Sequence, residues 1–381
     1  MKYLIIGAGA AGVSAVKEII KRRDKNDQIT VITDDDYPFY YRPRLIEYLS
    51  GEVDDEELII NDKDWFEKND INLKLSEKVT EVRFNEKKVI TEKSNYAYDK
   101  LLLANGAHSF IPPVKGIEKD NIFTLRNLTD AQKICERAKN AEKAAVIGGG
   151  LLGVEAASNL KKSGLDVTVI ERANYCLNRQ LDELGGEILV DILKNDKGLK
   201  FVLDASTEEF LGDNKVKEIL MGDGTKVEAD LVLLSTGVRS NIGLFEDTDL
   251  KINNAVVVDK YMTTNIDDVY AAGDIAELNG KFYGIWMPSM KMGQTAGKNM
   301  VGEKFEFPGV VSSHTLKVAG INVVSAGNID FDNELEHEIE KKERACKRVV
   351  RDKNGKVVGL VIVGQFNDQE KLLAEVKKSK K

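Results

Sequence analysis

The apolar positions of this chain fall into two copies of one pattern. Residues 3–16 (YLIIGAGAAGVSAV) read as a short apolar strand, then glycines at fixed spacing, then a helical period. Residues 144–157 (AAVIGGGLLGVEAA) repeat that form. Each copy is followed by a further apolar run, Gln28–Ile32 after the first and Asp166–Ile170 after the second. Residues 98–106 (YDKLLLANG) and 230–237 (DLVLLSTG) are strands that end in small-residue turns. Residues 269–274 (VYAAGD) add a strand closing on Gly273 and Asp274, with a helix from about 288 to 301 after it. Beyond Pro308 the pattern changes to short β-rich runs at 314–318, 321–326, 346–351 and 356–363. Asn354 and Gly355 read as a hairpin turn between the last two, and a helix is expected over 368–378.

The glycines give the repeat its chemistry. Gly7, Gly9 and Gly12 match Gly148, Gly150 and Gly153 in a G-x-G-x-x-G spacing. The first glycine lets a strand turn tightly into a helix, the second lets a pyrophosphate approach the backbone, and the third lets helix and strand pack closely. Ala10, Ala11 and Leu152 fall in the opening turns of the helices, whose free N–H groups favour an anion. An acidic residue is expected about 20 positions on, to accept hydrogen bonds from a ribose. Asp34, Asp35 and Asp36 follow the first copy, and Glu171 follows the second. Asp274, at the end of its strand, suits a sugar-alcohol chain. The fold class expected is therefore α/β, with two dinucleotide-binding Rossmann-like domains and a small C-terminal α+β domain.

Composition narrows this little further. The 381 residues carry a net charge of −8, which argues against nonspecific nucleic-acid binding. Lys377, Lys378, Lys380 and Lys381 form a short basic tail that reads as a frayed helix end. Cys135, Cys176 and Cys346 are too far apart for a redox pair or a zinc knuckle, and this usage fits a reducing cytoplasm. His108, His314 and His337 are too scattered for a metal site and read as structural or surface residues. Residues 4–16 superficially resemble a signal peptide, but Gly7, Gly9, Gly12 and Ser14 have the explanation just given. No run approaches the roughly 18 apolar residues of a membrane span, so no membrane association is expected.

The ordered set GAGAAG, YYRPRL, LLANG, GGGLLG, STGVRSN and YAAGD resembles the FAD-dependent pyridine nucleotide oxidoreductases over about the first 305 residues. Residues 40–45 (YYRPRL) and 178–182 (NRQLD) are most similar to NADH:rubredoxin reductases, and also to the flavin-binding part of nitrite reductase large subunits. The resemblance implies an FAD domain over 1–110 and 236–305, an NAD domain inserted at 111–235, and a C-terminal domain over 306–381. Pro112 with Pro113, and the turn ending at Gly237, mark the two crossings. FAD would then be held by Gly7, Gly9, Ala10, Ala11, Gly12, Asp34, Arg42, Pro43, Ala104, Gly106, Gly273 and Asp274. Asp34 is preferred to its neighbours for its offset from the YYRP segment. NADH would be held by Gly148, Gly150, Leu152, Gly153, Glu171 and Gly237.

The resemblance also shows departures. Relatives that reduce disulfides or peroxide carry a cysteine beside the flavin, where this chain reads Tyr40, Tyr41, Arg42, Pro43 and Arg44. Oxygenase-coupled relatives carry a lysine five residues after the Arg42 position, paired with a glutamate near the flavin. Here that position is Glu47, the glutamate is retained as Glu155, and Arg44 is the expected replacement cation. No side-chain nucleophile is expected to act. The function implied is electron transfer from NADH through FAD to a small carrier, rubredoxin above all, by a cytoplasmic monomer or homodimer. An NADH oxidase and a redox-sensing binding protein are the alternatives. Nitrite reduction would need cysteine-rich cluster segments, which this sequence does not contain. Docking of an acidic carrier would need a local basic patch, for which Arg42, Arg44, Lys291 and Lys317 are the candidates if they gather around the flavin mouth.

Overall fold

The repeat seen in the sequence builds two sheets of the same design. In the computed structural model, which describes residues 1–310 and 313–379, each sheet has five parallel strands. The first runs in the order Val269–Ala271, Lys100–Leu103, Lys2–Ile6, Gln28–Ile32, Ile71–Lys74. The second runs Ile122–Thr124, Leu231–Leu234, Lys143–Ile147, Asp166–Ile170, Lys200–Val202. In both, the central strand pairs on one side with the strand that follows its helix and on the other with the strand before the LLANG or STG turn. These central strands are buried on both faces, which is why they read as continuous apolar runs rather than alternating ones.

The helices after the glycine turns are Ala10–Ile20 and Leu151–Lys162. Helix Trp286–Met300 packs on the first of them, so closely that a Cβ at Gly293 would strike the Ala11 carbonyl. It begins two residues before the 288 read from sequence. Where the chain passes between the two sheets, Ala107–Ser109 pairs antiparallel with Val238–Ser240. Asn105 and Asn241 close that joint reciprocally, each side-chain amide donating to the other's backbone carbonyl at 3.0 and 2.6 Å. His108 adds a 2.7 Å contact from Nδ1 to the Asn241 Oδ1.

The C-terminal part is a five-stranded antiparallel sheet ordered Ser313–Val318, Ile321–Gly327, Val357–Val363, Ala345–Arg351, Glu336–Lys342. The hairpin turn at Asn354 and Gly355 is present, with Gly355 at φ +73°. Helix Gln369–Ser379 covers one face through Leu372 and Val376. The other face joins Val318, Val323, Cys346, Val361 and Val363 to the apolar cluster of the second sheet and its helices. Tyr40, Leu45, Leu49, Val53 and Leu58, early in the chain, bury into that same cluster. Fully burying side chains of this size stabilises by roughly 1.5–3 kcal/mol each, so this cluster binds three stretches of sequence together. The His314 side chain and the tail residues Lys380 and Lys381 lie outside the described residues.

Candidate functional site

The two glycine turns divide their labour as the spacing demands. Gly7 and Gly148 have φ of +108° and +112°, and a Cβ on either would strike the carbonyl of Ala104 or Ser235, just past the end of the neighbouring strand. Gly12 and Gly153 are closed by the carbonyls of Gly7 and Gly148. The middle glycines differ: a Cβ on Gly9 or Gly150 would meet nothing within 4 Å. Each is the N-cap of its helix, with no side-chain capping bond and no acidic residue in the first turn. Four other helices are capped by Asp54, Asp62, Asn127 and Asp182, while Leu45–Tyr48 and Trp286–Met300 start without a side-chain cap but on Arg44 and Ile285 rather than on a glycine. Two uncapped helix starts facing open space are the arrangement that receives a pyrophosphate, so the residues present fit a dinucleotide at both turns. Leu152 lies exposed in the first turn of the second helix, and Gly237 is exposed with φ +98°.

Around the first turn lies a cleft lined by Ala8, Gly9, Asp35, Tyr40, Arg42 and Trp286 among others. Asp34 is exposed, and Asp35 turns inward instead. Asp36 is exposed as well. Asp35 accepts from the Tyr40 hydroxyl at 2.8 Å and from the Tyr37 N–H at 3.3 Å, and lies 3.7 Å from Arg42. Burial raises its carboxyl above the usual range, against the pull of Tyr40 and Arg42. Trp286 stacks on Phe39 with centroids 5.7 Å apart and meets the Tyr41 edge at 5.2 Å.

Asp274 stands at the end of its strand as expected, and its partner was not foreseen. Arg126 donates from Nη2 to Asp274 Oδ2 at 2.7 Å and from Nε to the Ala107 carbonyl at 2.8 Å. Ser289 Oγ lies 3.2 Å from the other Asp274 oxygen. Burial, and then the charge of Arg42, lower the Arg126 pKa. Burial also works against charge on Arg42, but Tyr40, Asp35 and Asp274 outweigh it. Arg42, Arg126, Asp35 and Asp274 thus form one electrostatic cluster at the first turn. Pro43 is exposed at its rim, while Ala104 and Gly273 are buried behind it. Gly106, at φ +66°, leaves room for the Arg126 guanidinium.

At the second turn Glu171 accepts from the N–H groups of Gly149 and Ala173. That places a carboxylate at the glycine turn, where an adenosine ribose would lie.

Helix Leu151–Lys162 presents a stripe to the segment after Arg44. Asn159 accepts from Ser50 at 2.9 Å and Lys162 donates to Glu52 at 2.8 Å, with Glu155 on the same helix. Arg44 does not serve Glu155. It pairs with Glu47 at 2.6 Å, three residues along its own chain. Glu155 is pushed up to about 7, by burial first, with Glu47 adding to the rise and the Ala319 N–H and Lys162 opposing it. The three cysteines are free. Burial pushes the Cys176 thiol up to about 12 and Cys346 up to about 11, and raises Cys135, so none is a ready thiolate. Among the described residues no group of His, Cys, Asp and Glu is placed to hold a metal, and no helix is long and apolar enough to cross a membrane.

Comparison with known proteins agrees with this geometry. Residues 1–299 match the family described as pyridine nucleotide-disulphide oxidoreductase, and residues 313–380 match the rubredoxin NAD+ reductase C-terminal domain. The chain is 36% identical to a nitrite reductase [NAD(P)H] of Bacillus subtilis, covering 99% of this chain and 47% of that protein. It is 35% identical to NADH-rubredoxin oxidoreductase of Clostridium acetobutylicum, covering 100% of this chain and 95% of that one. It therefore spans about half the length of the first relative and nearly all of the second. The solved structure of an NAD-dependent persulfide reductase from A. fulgidus superposes with a TM-score of 0.90 at 28% identity, over 99% of this chain and 77% of that one.

Proposed function

The chain belongs to the pyridine nucleotide-disulphide oxidoreductase family, and on that premise we propose that it carries electrons from NADH through FAD to a small carrier protein of the rubredoxin kind. FAD, when bound, takes a hydride from NADH and can give up the two electrons singly. The protein's part is placement. The helix start at Gly9 would take the FAD pyrophosphate and Asp35 its ribose, while Asp274, held by Arg126, would meet the ribitol. The helix start at Gly150 and the Glu171 carboxylate would hold NADH. Alignment and exclusion of water then suffice, since hydride transfer needs no side-chain nucleophile.

The observation that carries the choice of acceptor is the match of residues 313–380 to a domain described from rubredoxin reductases. The absence of any cysteine between Tyr37 and Glu47 supports it, because no thiol stands where a disulfide relay would begin. The deciding experiment is steady-state NADH oxidation by purified protein, with rubredoxin and with air alone. Faster turnover with rubredoxin is expected. Oxygen as the better acceptor would make the protein an NADH oxidase, and flavin reduction without turnover on any acceptor would make it a redox-sensing protein.

A further inference from the structure

The NRQLD segment has no part in the chemistry above, yet its last residue joins two domains. Asp182 caps helix Glu183–Lys197, accepting from the Gly185 N–H at 3.2 Å. Its other oxygen lies 3.5 Å from Nη1 of Arg348, on strand Ala345–Arg351 of the C-terminal sheet. Arg348 is only 5% exposed. Its Nη2 donates to the Asp330 carbonyl at 2.7 Å and to Asn333 Oδ1 at 2.9 Å. The guanidinium that grips Asp182 is therefore itself fixed by the C-terminal domain.

The loop that ends at Asp182 begins at Glu171, after strand Asp166–Ile170, and packs against the second glycine turn. Gly149 donates its N–H to Glu171 and accepts from the Leu177 N–H at 2.9 Å, so both its backbone groups go to this loop. Leu177 is buried and has φ +57°, a conformation that a bulky residue holds only when its surroundings impose it. One constraint is Gly149. The other is the far end of the loop, where Leu181 donates back to the Leu177 carbonyl at 2.8 Å and Asp182 is tied to Arg348.

We propose that Arg348 is a positioning residue for the nicotinamide dinucleotide, acting through Asp182 and the 171–182 loop to hold the Gly149 turn in its binding geometry. This rests on the reading of residues 148–153 as the NADH turn, and it gives the C-terminal domain a part in NADH binding that leaves the FAD turn untouched.

The test is anaerobic titration of the purified FAD-bound protein with NADH, followed by flavin bleaching, together with steady-state kinetics. Arg348→Met and Asp182→Asn should each raise the apparent Kd and the KM for NADH by about five- to tenfold. FAD content and kcat at saturating NADH should be retained, and Arg348→Lys should recover part of the loss. Lys347→Gln is the control, because Lys347 pairs with Asp368 and Glu340 inside the C-terminal domain; it should titrate like wild type. Equal titration of wild type, Arg348→Met and Asp182→Asn would overturn the proposal, as would a shift in Lys347→Gln as large as that in Arg348→Met. Asparagine also caps helices, so Asp182→Asn decides the matter if Arg348→Met does not fold. Failure of NADH to bleach the wild-type flavin would instead remove the NADH assignment itself.

Discussion

Arg126 and Asp274, 148 positions apart in the chain, meet as a 2.7 Å ion pair between the two halves of the first glycine-turn cluster. Both side chains are mostly buried, 23% and 14% exposed, so removing one partner leaves the other short of solvent and of charge. Asp274 would then no longer be fixed at the end of its strand. Arg126→Leu should weaken FAD binding by about tenfold or more, a change of about 1.4 kcal/mol, and Arg126→Lys should weaken it less. Flavin absorbance of the purified protein and reconstitution of stripped protein with FAD measure this. Unchanged FAD affinity in Arg126→Leu, with loss in Asp274→Ala, would show that Asp274 needs no holder. No loss in either variant would remove Asp274 from the site.

The middle glycines allow a crossed test. A Cβ at Gly9 or Gly150 meets open space, and both have extended backbone angles that any residue can adopt. Gly9→Leu and Gly150→Leu should therefore fold normally while placing a side chain where a pyrophosphate belongs. Gly9→Leu should yield colourless protein. Gly150→Leu should stay yellow and reduce with dithionite, but not with NADH. If Gly150→Leu loses flavin and Gly9→Leu keeps it, the two ligands have been assigned to the wrong turns.

What the sequence disclosed, and what it did not, follows the range of the interactions concerned. The glycine turns were legible because the first and third glycines of each answer to backbone within a few residues or just past the adjoining strand. Of three consecutive aspartates, Asp34 was preferred for its offset, whereas Asp35 is the one that lines the cleft; their side chains are identical and only the path of the chain separates them. Arg126 left no local signal, because its partner is supplied by a distant strand. Arg44 was assigned to Glu155, but Glu47 lies three residues away on the same turn and takes it first. Strand Glu336–Lys342 (EHEIEKK) was missed because it is exposed along its whole length and has only Ile339 as an apolar residue. Its strand character comes from pairing with Ala345–Arg351.

Glu155 predicts a pH dependence of stability. Its carboxyl is raised from 4.5 to about 7 in the folded protein, so the fold retains a proton that the unfolded chain releases. Stability is therefore full below about pH 4.5 and falls as pH rises towards 7, levelling off above. The whole effect is at most about 3 kcal/mol, and less where solvent reaches the group. Glu155→Gln should remove this slope, so that the variant gains on wild type between pH 5 and pH 8. Urea denaturation at the two pH values measures the difference. Parallel behaviour of wild type and Glu155→Gln would mean that Glu155 stays ionised through this range.

The surface offered to a carrier is less basic than the sequence alone implied. Arg42 faces Asp35 at 3.7 Å and Arg44 pairs with Glu47, so the charge of each is largely met within the protein. Lys317, exposed at the end of its strand, has no ion pair among the described residues, and the same holds for Lys291. Of the four candidate cations, these two lysines are the ones whose charge is left to attract an acidic carrier. Lys317→Gln should slow rubredoxin reduction more than Arg44→Gln does, each by no more than about fivefold, since exposed charges contribute about 0–1 kcal/mol. Neither change should alter flavin reduction by NADH. Raising salt from low ionic strength through about 0.1 M, where the screening length is about 10 Å, should slow carrier reduction in wild type and less so in Lys317→Gln. Stopped-flow measurement separates the two half-reactions. A carrier rate indifferent to salt and to Lys317→Gln would place the contact on uncharged surface, with the exposed Tyr41, Ile285 and Met287 around Trp286 as the next residues to replace.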